Sequence, residues 1–165
     1  MNVMRPIRAK RTYTQQLNAP PGQVFPLLCP VREVEWVTDW NPLAVYSHSG
    51  VAETDCVFIT RDSAAEAVWV ITRHDPVNHV VEFVKITPGF TAVRISIVLE
   101  ERLSGGTEAV ISYMYTALSE EGEDIVNQFT EAAYETFMKT WETALNAYLL
   151  QQKKSPGSVS GPEGT

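Results

Sequence analysis

The spacing of apolar residues changes near residue 120, and this change constrains the fold more than any other feature of the sequence. Between residues 43 and 118, six β-branched and aromatic segments follow one another, separated by Gly, Asp-Pro, Pro-Gly or Gly-Gly turn signals. Such a series is typical of an antiparallel meander. From residue 120 to about 153 the pattern instead predicts one helix of about 30 residues. Its apolar residues recur every four positions: Ile125, Phe129, Ala133, Phe137, Trp141 and Leu145.

The chain before residue 43 adds one strand and two short helices. Apolar and polar residues alternate over residues 7–17, with Arg11 and Gln15 as exceptions, which predicts a half-buried first strand. Asn18 is the candidate N-cap of a short apolar helix. A second helical turn is predicted over residues 32–36. The predicted order is therefore one strand, two short helices, six strands and a long helix.

Composition limits the organisation and the class of partner. With 165 residues, 44% of them hydrophobic, the chain can form one domain with a real core, predicted over residues 1–152. Residues 153–165 are rich in Gly, Ser and Pro and are predicted to be a disordered tail. A net charge of -7 argues against nucleic-acid binding. The absence of a signal peptide pattern and of an apolar run long enough for a membrane span predicts a cytoplasmic protein.

The element order and one local motif resemble a known superfamily. The order is that of the α+β helix-grip fold, and APPGQVFPLLCPVREVEWVTDWNP, residues 19–42, resembles the opening of SRPBCC proteins. That superfamily includes START lipid-transfer domains, pollen-allergen-like proteins and polyketide cyclases. The resemblance implies a seven-stranded antiparallel sheet curled around the long C-terminal helix. It also implies a cavity between sheet and helix, usually apolar, that receives a ligand near the short helices.

Two of the four tryptophans, Trp36 and Trp40, lie in the segment EWVTDW. The resemblance places this segment near the cavity entrance. One interpretation is a lid, in which a large ring covers the ligand while its N–H finds a polar partner such as Asp39 or a backbone carbonyl. The other is a wedge, in which the ring, and Trp36 above all, packs the short helices against the long one. Both interpretations remain open from the sequence.

The cavity wall implied by the resemblance comes from one parity of each strand and one face of the long helix. Strand alternation directs the odd positions of the last two strands inward, and Phe137 and Trp141 are expected to be largely buried on the helix. Aromatic residues at such spacings are more often ordinary core than part of a ligand site, so the set as a whole is a stronger prediction than any one of its members. The predicted ligand-binding residues are Trp36, Trp40, Cys56, Phe58, Trp69, Ile71, Phe83, Ile95, Tyr113, Tyr115, Phe129, Tyr134, Phe137 and Trp141.

The sequence offers few groups for catalysis. His48, His74 and His79 lack the spacing of a metal site, and His74 is interpreted as a solvated loop residue. Cys29 and Cys56 lack metal or disulfide spacing and are interpreted as buried free thiols. No phosphate-binding loop or nucleophile motif is present, so neither a metal nor a cofactor is predicted. The polar residues that could act inside an apolar pocket are Tyr113, Tyr115, Arg73 and Arg94.

Three functions fit these observations. The first is binding or transport of a small hydrophobic molecule, which needs only the cavity. The second is a polyketide cyclase or aromatase-like enzyme, in which buried polar groups polarise a carbonyl while the apolar wall folds the substrate. The third is a protein-binding member of the superfamily, which depends on an exposed patch rather than on a cavity.

Overall fold

The structure is a computed structural model that describes residues 1–62 and 65–154, with residue 62 described in its backbone only. The described elements, in chain order, are β1 Arg8–Leu17, α1 Pro21–Val24, 3₁₀ turns Phe25–Leu27 and Glu33–Glu35, β2 Ala44–Tyr46, β3 Val57–Asp62, β4 Ala65–Asp75, β5 Val80–Thr87, β6 Thr91–Glu101, β7 Thr107–Ala117, α2 Glu120–Gln128 and α3 Glu131–Lys154. Seven strands form one sheet in the order β1-β7-β6-β5-β4-β3-β2, and every neighbouring pair is antiparallel. This confirms the predicted helix-grip architecture.

The inner face of the sheet follows the predicted alternation. On β6, Val93, Ile95, Ile97 and Leu99 are buried while Arg94 is exposed. Successive side chains on a strand point to opposite faces, so these odd positions form one apolar layer. Ile111 on β7 and Phe83 on β5 continue this layer across the neighbouring strands. The core therefore lies on the side of the sheet that α3 covers.

The predicted continuous helix is wrong at one point, because the chain leaves the helical conformation at Phe129. α2 ends there with a backbone ψ of 63°, and α3 begins at Glu131. The Thr130 hydroxyl oxygen accepts a hydrogen bond from the Ala133 amide at 3.2 Å and so caps α3. The Arg11 Nε donates to the Phe129 carbonyl at 3.2 Å, which satisfies a carbonyl at the end of α2.

The predicted apolar stripe of the helix is wrong in three of its six members, while Leu145 is buried and Phe129 and Trp141 are half-buried. Phe137 is 41% exposed and Ile125 is 38% exposed, and Ala133 is exposed as well. The buried residues of α3 are Tyr134, Met138, Leu145 and Leu149. Repeated steps of four residues advance the stripe by about 40° each, so it rotates away from the core. The buried set mixes steps of three and four and stays on one face.

Side chains of the long helix hold it against β1. The Gln15 side chain is buried on the inner face and its Nε2 donates to the Met138 carbonyl at 2.9 Å. The Asn18 amide donates to the Asn146 Oδ1 at 2.9 Å. Asn18 therefore binds α3 and does not cap α1, whose N-cap is Pro20.

Three smaller expectations can be compared with the structure. Cys29 and Cys56 are buried free thiols, as predicted. Lys153 and Lys154 belong to the last turn of α3, so the predicted tail 153–165 overlaps the helix, and its remaining residues lie outside the described part of the chain. Within the described residues, no helix has the length and apolar content that crossing a membrane requires.

Candidate functional site

A cavity of about 230 Å³ lies between the inner face of the sheet, α3 and the segment that carries Trp40. Its wall is mainly aromatic, and four polar or charged side chains interrupt it. The residues that line it are Glu33, Trp40, Phe58, Trp69, Phe83, Lys85, Ile95, Ile97, Tyr113, Tyr115, Phe137 and Trp141. Phe137 lines this cavity although its side chain is 41% exposed.

The structure brings most of the predicted ligand-binding residues together around this cavity, and their contact with a ligand stays a prediction. Those on its wall are Trp40, Phe58, Trp69, Phe83, Ile95, Tyr113, Tyr115, Phe137 and Trp141. Five predicted residues are not on this wall: Trp36, Cys56, Ile71, Phe129 and Tyr134. Cys56 and Ile71 are core residues, and Phe129 lies at the break between α2 and α3. The Tyr134 hydroxyl donates to the Ile111 carbonyl at 2.6 Å.

Aromatic rings form a continuous group on the side of the cavity made by β3, β4 and β5. The Phe58 and Trp69 rings stack with centroids 5.1 Å apart. The Trp40 ring packs edge-on against both, with centroids 6.1 and 6.2 Å away, and Phe83 completes the group. Offset and edge-on arrangements of this kind are the favoured geometries for aromatic pairs. The group offers flat apolar faces to a molecule inside the cavity.

Trp36 and Trp40 have different surroundings. Trp36 is 7% exposed, donates its Nε1–H to the Leu27 carbonyl at 3.1 Å and packs edge-on against Trp141 at 5.4 Å. The Trp36 ring therefore packs the 3₁₀ turns against α3, which agrees with the wedge interpretation. Trp40 is half-buried on the cavity wall and donates its Nε1–H to the Pro30 carbonyl at 2.8 Å. Because Trp40 lies on the cavity wall, the lid interpretation applies to this residue, and it stays a prediction.

Three residues of the cavity wall were absent from the predicted set: Glu33, Lys85 and Ile97. Alternation points Ile97 and Lys85 inward, so the strand pattern contained a signal for both. The Lys85 Nζ lies 4.9 Å from the centroid of the Trp69 ring, a distance typical of cation–π contacts. Glu33 lies in a 3₁₀ turn that has no such period. Only the packing of that turn against the sheet directs the Glu33 side chain inward.

Glu33 is the unusual ionisable residue of the site. It is 7% exposed, and no hydrogen bond from any described residue reaches its carboxyl group. Burial away from water raises the pKa of Glu33 to about 8. A carboxylate loses its hydration when buried, so the protonated form becomes the favoured one. At neutral pH this side chain is therefore mainly a carboxylic acid, which donates a hydrogen bond.

Tyr113 is the second buried polar residue of the cavity wall. It is 5% exposed, and its hydroxyl makes no hydrogen bond to a described residue. Burial raises the pKa of Tyr113 well above its usual value, and the groups of Tyr115, Tyr134 and Glu33 add to the rise. The phenol therefore keeps its proton throughout the physiological pH range. Both Glu33 and Tyr113 present a proton to the cavity.

The other predicted polar groups do not converge on this site. Arg73 forms an exposed ion pair with Asp75 at 3.0 Å. Arg94 lines a separate depression of about 270 Å³ that also includes Lys10, Glu82 and Ser96. His74 lies in β4 rather than in a loop, half-buried, with its ring 5.0 Å from the Phe25 ring, and this burial lowers the pKa of His74. Among residues 1–62 and 65–154, no cluster of His, Cys, Asp or Glu could hold a metal ion.

Comparison with known proteins identifies the fold. No model of a known protein family matches the chain, and no curated protein matches its sequence. The crystal structure of Ara h 8.0201 superposes with a TM-score of 0.61 at 16% identity, over 87% of this chain and 99% of that one. A Staphylococcus aureus protein of unknown function, SA2116, gives a TM-score of 0.66 at 10% identity, over 90% and 98%.

A third similar structure contains bound molecules. Norcoclaurine synthase from Thalictrum flavum, in complex with dopamine and hydroxybenzaldehyde, gives a TM-score of 0.65 at 10% identity, over 88% of both chains. Sequence identities of 10% and 16% establish a shared fold only. The function has to be inferred from the residues of the site.

Proposed function

We propose that this protein, which has the helix-grip fold of the SRPBCC superfamily, binds a small aromatic molecule in the cavity beneath Trp40. The aromatic wall carries this proposal. Rings that stack or meet edge-on favour a flat apolar ligand, and each buried ring contact adds affinity beyond its area. A few polar groups in an otherwise apolar pocket are the usual means of orienting such a ligand.

The volume of the cavity supports a ligand of limited size. Sites for drug-sized molecules have volumes of about 300–1,000 Å³, and this cavity has about 230 Å³. A molecule with one or two rings suits this space, whereas a phospholipid with two acyl chains does not. Dopamine and hydroxybenzaldehyde, the molecules bound to the similar norcoclaurine synthase structure, belong to this size class.

Binding of a two-ring probe tests the proposal. We expect 2-acetylnaphthalene to bind the purified protein at a ratio of one to one, measured by calorimetry and by quenching of tryptophan fluorescence. Phe137→Ala should weaken this binding by about 1 kcal/mol, because the ring lies on the cavity wall. Leu150→Ala is the matched control, since Leu150 is an exposed residue of the same helix and is not on that wall. Equal loss of affinity in both variants, or no saturable binding, would contradict the proposal.

A second candidate function is catalysis on a carbonyl compound in the same cavity. The observation that favours it is the presence of Glu33, Lys85, Tyr113 and Tyr115 on one apolar wall. Hydrogen-bond donors such as Glu33 and Tyr113 would polarise the carbonyl of a bound molecule, so that water could take a proton from the adjacent carbon, the first step of cyclisation by enol chemistry. Deuterium exchange of the acetyl methyl group of 2-acetylnaphthalene, followed by NMR, distinguishes the two functions. Exchange faster than in buffer supports catalysis, and exchange at the buffer rate supports binding alone.

A further inference from the structure

Glu33 and Tyr113 both lack a hydrogen-bond partner among the described residues, although each is more than nine-tenths buried. Buried polar side chains in folded proteins are nearly always paired. Leaving one unpaired costs about 1–3 kcal/mol, and more for an acidic group. Among the described residues, the one side-chain N or O atom that is fully buried without a partner is the Arg102 Nε, so the Glu33 and Tyr113 oxygens remain accessible from the cavity that they line. Their hydrogen-bond partner is therefore a molecule inside that cavity.

The two groups come from different parts of the fold and face the same space. Glu33 extends from the 3₁₀ turn Glu33–Glu35, whose backbone is fixed by the bond from the Glu33 amide to the Cys29 carbonyl at 2.8 Å. Tyr113 extends from β7, and its ring is held between Tyr134 at 5.6 Å and Phe137 at 6.1 Å. No hydrogen bond joins Glu33 to Tyr113, yet the Glu33 carboxyl contributes to the raised pKa of Tyr113. Both side chains line the same cavity, so a molecule inside it can contact both.

We propose that Glu33 and Tyr113 act as two hydrogen-bond donors to a single oxygen atom of the ligand, so that the ligand is an aromatic molecule bearing a ketone or aldehyde group. The inference rests on the proposed function, because it assigns a chemical class to the molecule in that cavity. Two donors that converge on one oxygen match the two lone pairs of a carbonyl. In a site shielded from water they also stabilise negative charge that develops on that oxygen.

An amine ligand fits the same residues less well. It would require Glu33 to ionise in a cavity that favours its protonated form. It would also bring a second positive charge into a cavity whose wall already includes Lys85. A carbonyl oxygen needs neither change, since both donors are already protonated at neutral pH.

A pair of probes with the same shape tests this inference. 2-Acetylnaphthalene carries a carbonyl oxygen, and 2-isopropenylnaphthalene replaces that oxygen with a CH₂ group. We expect the unaltered protein to bind the ketone at least about tenfold more tightly than the alkene, because the alkene leaves two buried donors unpaired. If both probes bind with equal affinity, the inference is wrong while the proposed function stands. If neither binds, the proposed function fails, and the inference fails with it.

Substitutions test whether Glu33 and Tyr113 cause the preference for the ketone over the alkene. Tyr113→Phe and Glu33→Leu should each reduce the ratio of ketone to alkene affinity by about threefold to tenfold. Glu33→Gln should keep most of the preference, since its amide still donates. Affinity for the alkene reports whether each variant retains a folded cavity. Glu35→Gln is the control, because Glu35 lies in the same 3₁₀ turn but pairs with Arg32 outside the cavity. An unchanged ratio in Tyr113→Phe and Glu33→Leu would overturn the inference.

A pH series adds an independent measurement. Since the pKa of Glu33 is about 8, its donor proton is present at pH 7 and mostly lost at pH 9. The ketone preference of the unaltered protein should fall over that range, while that of Glu33→Gln should not. The other titratable groups on this wall are Tyr113 and Tyr115 of β7 and Lys85 of β5, and all of them remain in the Glu33→Gln variant. An identical fall in the two proteins would therefore exclude Glu33 as the donor.

Discussion

Trp36 and Trp40 illustrate how neighbouring residues of one type take on different roles. The sequence places them four positions apart in EWVTDW and offers the same two interpretations for each. Packing separates them, because the Trp36 ring meets Trp141 on α3 whereas the Trp40 ring meets Phe58 and Trp69 on the sheet. Each indole N–H finds a backbone carbonyl, so neither ring carries an unpaired polar group. The first ring stabilises the fold, and the second forms part of the cavity.

We expect alanine substitutions at the two positions to affect different quantities. Trp36→Ala should lower the free energy of unfolding by about 3–5 kcal/mol, as is typical for a buried ring. Trp40→Ala should lower it less and should weaken binding of 2-acetylnaphthalene by about 1–3 kcal/mol. Urea unfolding and calorimetric titration of both variants measure the two effects. Tight probe binding by Trp40→Ala, combined with a stability loss equal to that of Trp36→Ala, would show that both rings are structural.

The buried carboxyl of Glu33 predicts a pH-dependent effect on stability. The unfolded chain releases this proton near the ordinary pKa of 4.5, whereas the folded protein holds it to about 8. The stability that the protonated group contributes is therefore complete below pH 4.5 and is lost as the pH rises to about 8. Glu33→Gln cannot ionise, so its free energy of unfolding relative to the unaltered protein should rise by at least about 1 kcal/mol between pH 5 and 8.5.

Urea unfolding of the two proteins at both pH values provides this comparison. Glu35→Gln again serves as the control, because pairing with Arg32 lowers the pKa of Glu35 and the residue lies at the surface. A stability difference between Glu33→Gln and the unaltered protein that does not change with pH would mean that Glu33 is ionised or hydrated in the folded state.

At the scale of elements, the break between α2 and α3 lies close to residues of β1 that interrupt the alternation of that strand. Arg11 and Gln15 are the two exceptions to the alternation of β1, and both donate to carbonyls of the C-terminal helical region. The Arg11 guanidinium also lies 6.0 Å from the centroid of the Phe129 ring. These polar residues on a mostly apolar face are retained because each has a partner across the interface. The two exceptions therefore contact the end of α2 and hold α3 against β1.

Gly122 provides a test of how closely α2 approaches the sheet. Its amide donates to the Ser119 hydroxyl that caps α2, and a Cβ at this position would overlap the carbonyl oxygen of Phe90. That carbonyl already accepts a hydrogen bond from the Leu118 amide at 2.9 Å, so the backbone has little freedom to move. Gly122→Ala should therefore destabilise the protein by about 2 kcal/mol, although alanine is intrinsically the better helix residue.

The control for this substitution is Gly22→Ala in α1, where no atom lies within 4 Å of the added Cβ. That change should leave stability unaltered or raise it by about 0.5 kcal/mol, since it reduces the flexibility of the unfolded chain. Thermal unfolding of the two variants compares them directly. If Gly122→Ala is as stable as Gly22→Ala, α2 can shift away from the sheet without cost.

At the scale of the whole molecule, the cavity is a consequence of how α3 lies on the sheet. The residues of α3 that pack closely, Tyr134, Met138, Leu145 and Leu149, occupy one face. Phe137 and Trp141 lie beside that face and line the cavity with the side chains of β3 to β7. The helix therefore contributes one surface to the core and an adjoining surface to the ligand site.

Because the cavity lies between helix and sheet, ligand binding should stabilise the whole fold. At one hundred times its dissociation constant, a ligand that binds only the folded state adds about 2.7 kcal/mol to the free energy of unfolding. We expect 2-acetylnaphthalene to raise the urea midpoint accordingly with an unchanged m-value, since the surface exposed on unfolding stays nearly the same. A bound probe that leaves the midpoint unaltered would indicate a site that survives unfolding, and thus a site outside this cavity.

Local patterns were sufficient to predict the architecture. Strand alternation, turn residues and the later apolar helix pattern each depend on a few consecutive residues, and they predicted the seven strands, their antiparallel arrangement and the long C-terminal helix. The same alternation directed Ile95 and Tyr113 inward, and both lie on the cavity wall. These features follow from backbone geometry, which repeats along an element and is therefore visible in the sequence.

Contacts between distant parts of the chain decided the rest. Arg11, more than one hundred residues earlier in the chain, donates to the carbonyl at the end of α2, and Phe137 is exposed although it belongs to the apolar pattern of the helix. Glu33 belongs to a turn without a regular period, so only the packing of that turn could place an acid opposite Tyr113. A single sequence records which side chains are available. Which of them become buried without a partner is set by tertiary packing, and in this protein that packing produced the candidate site.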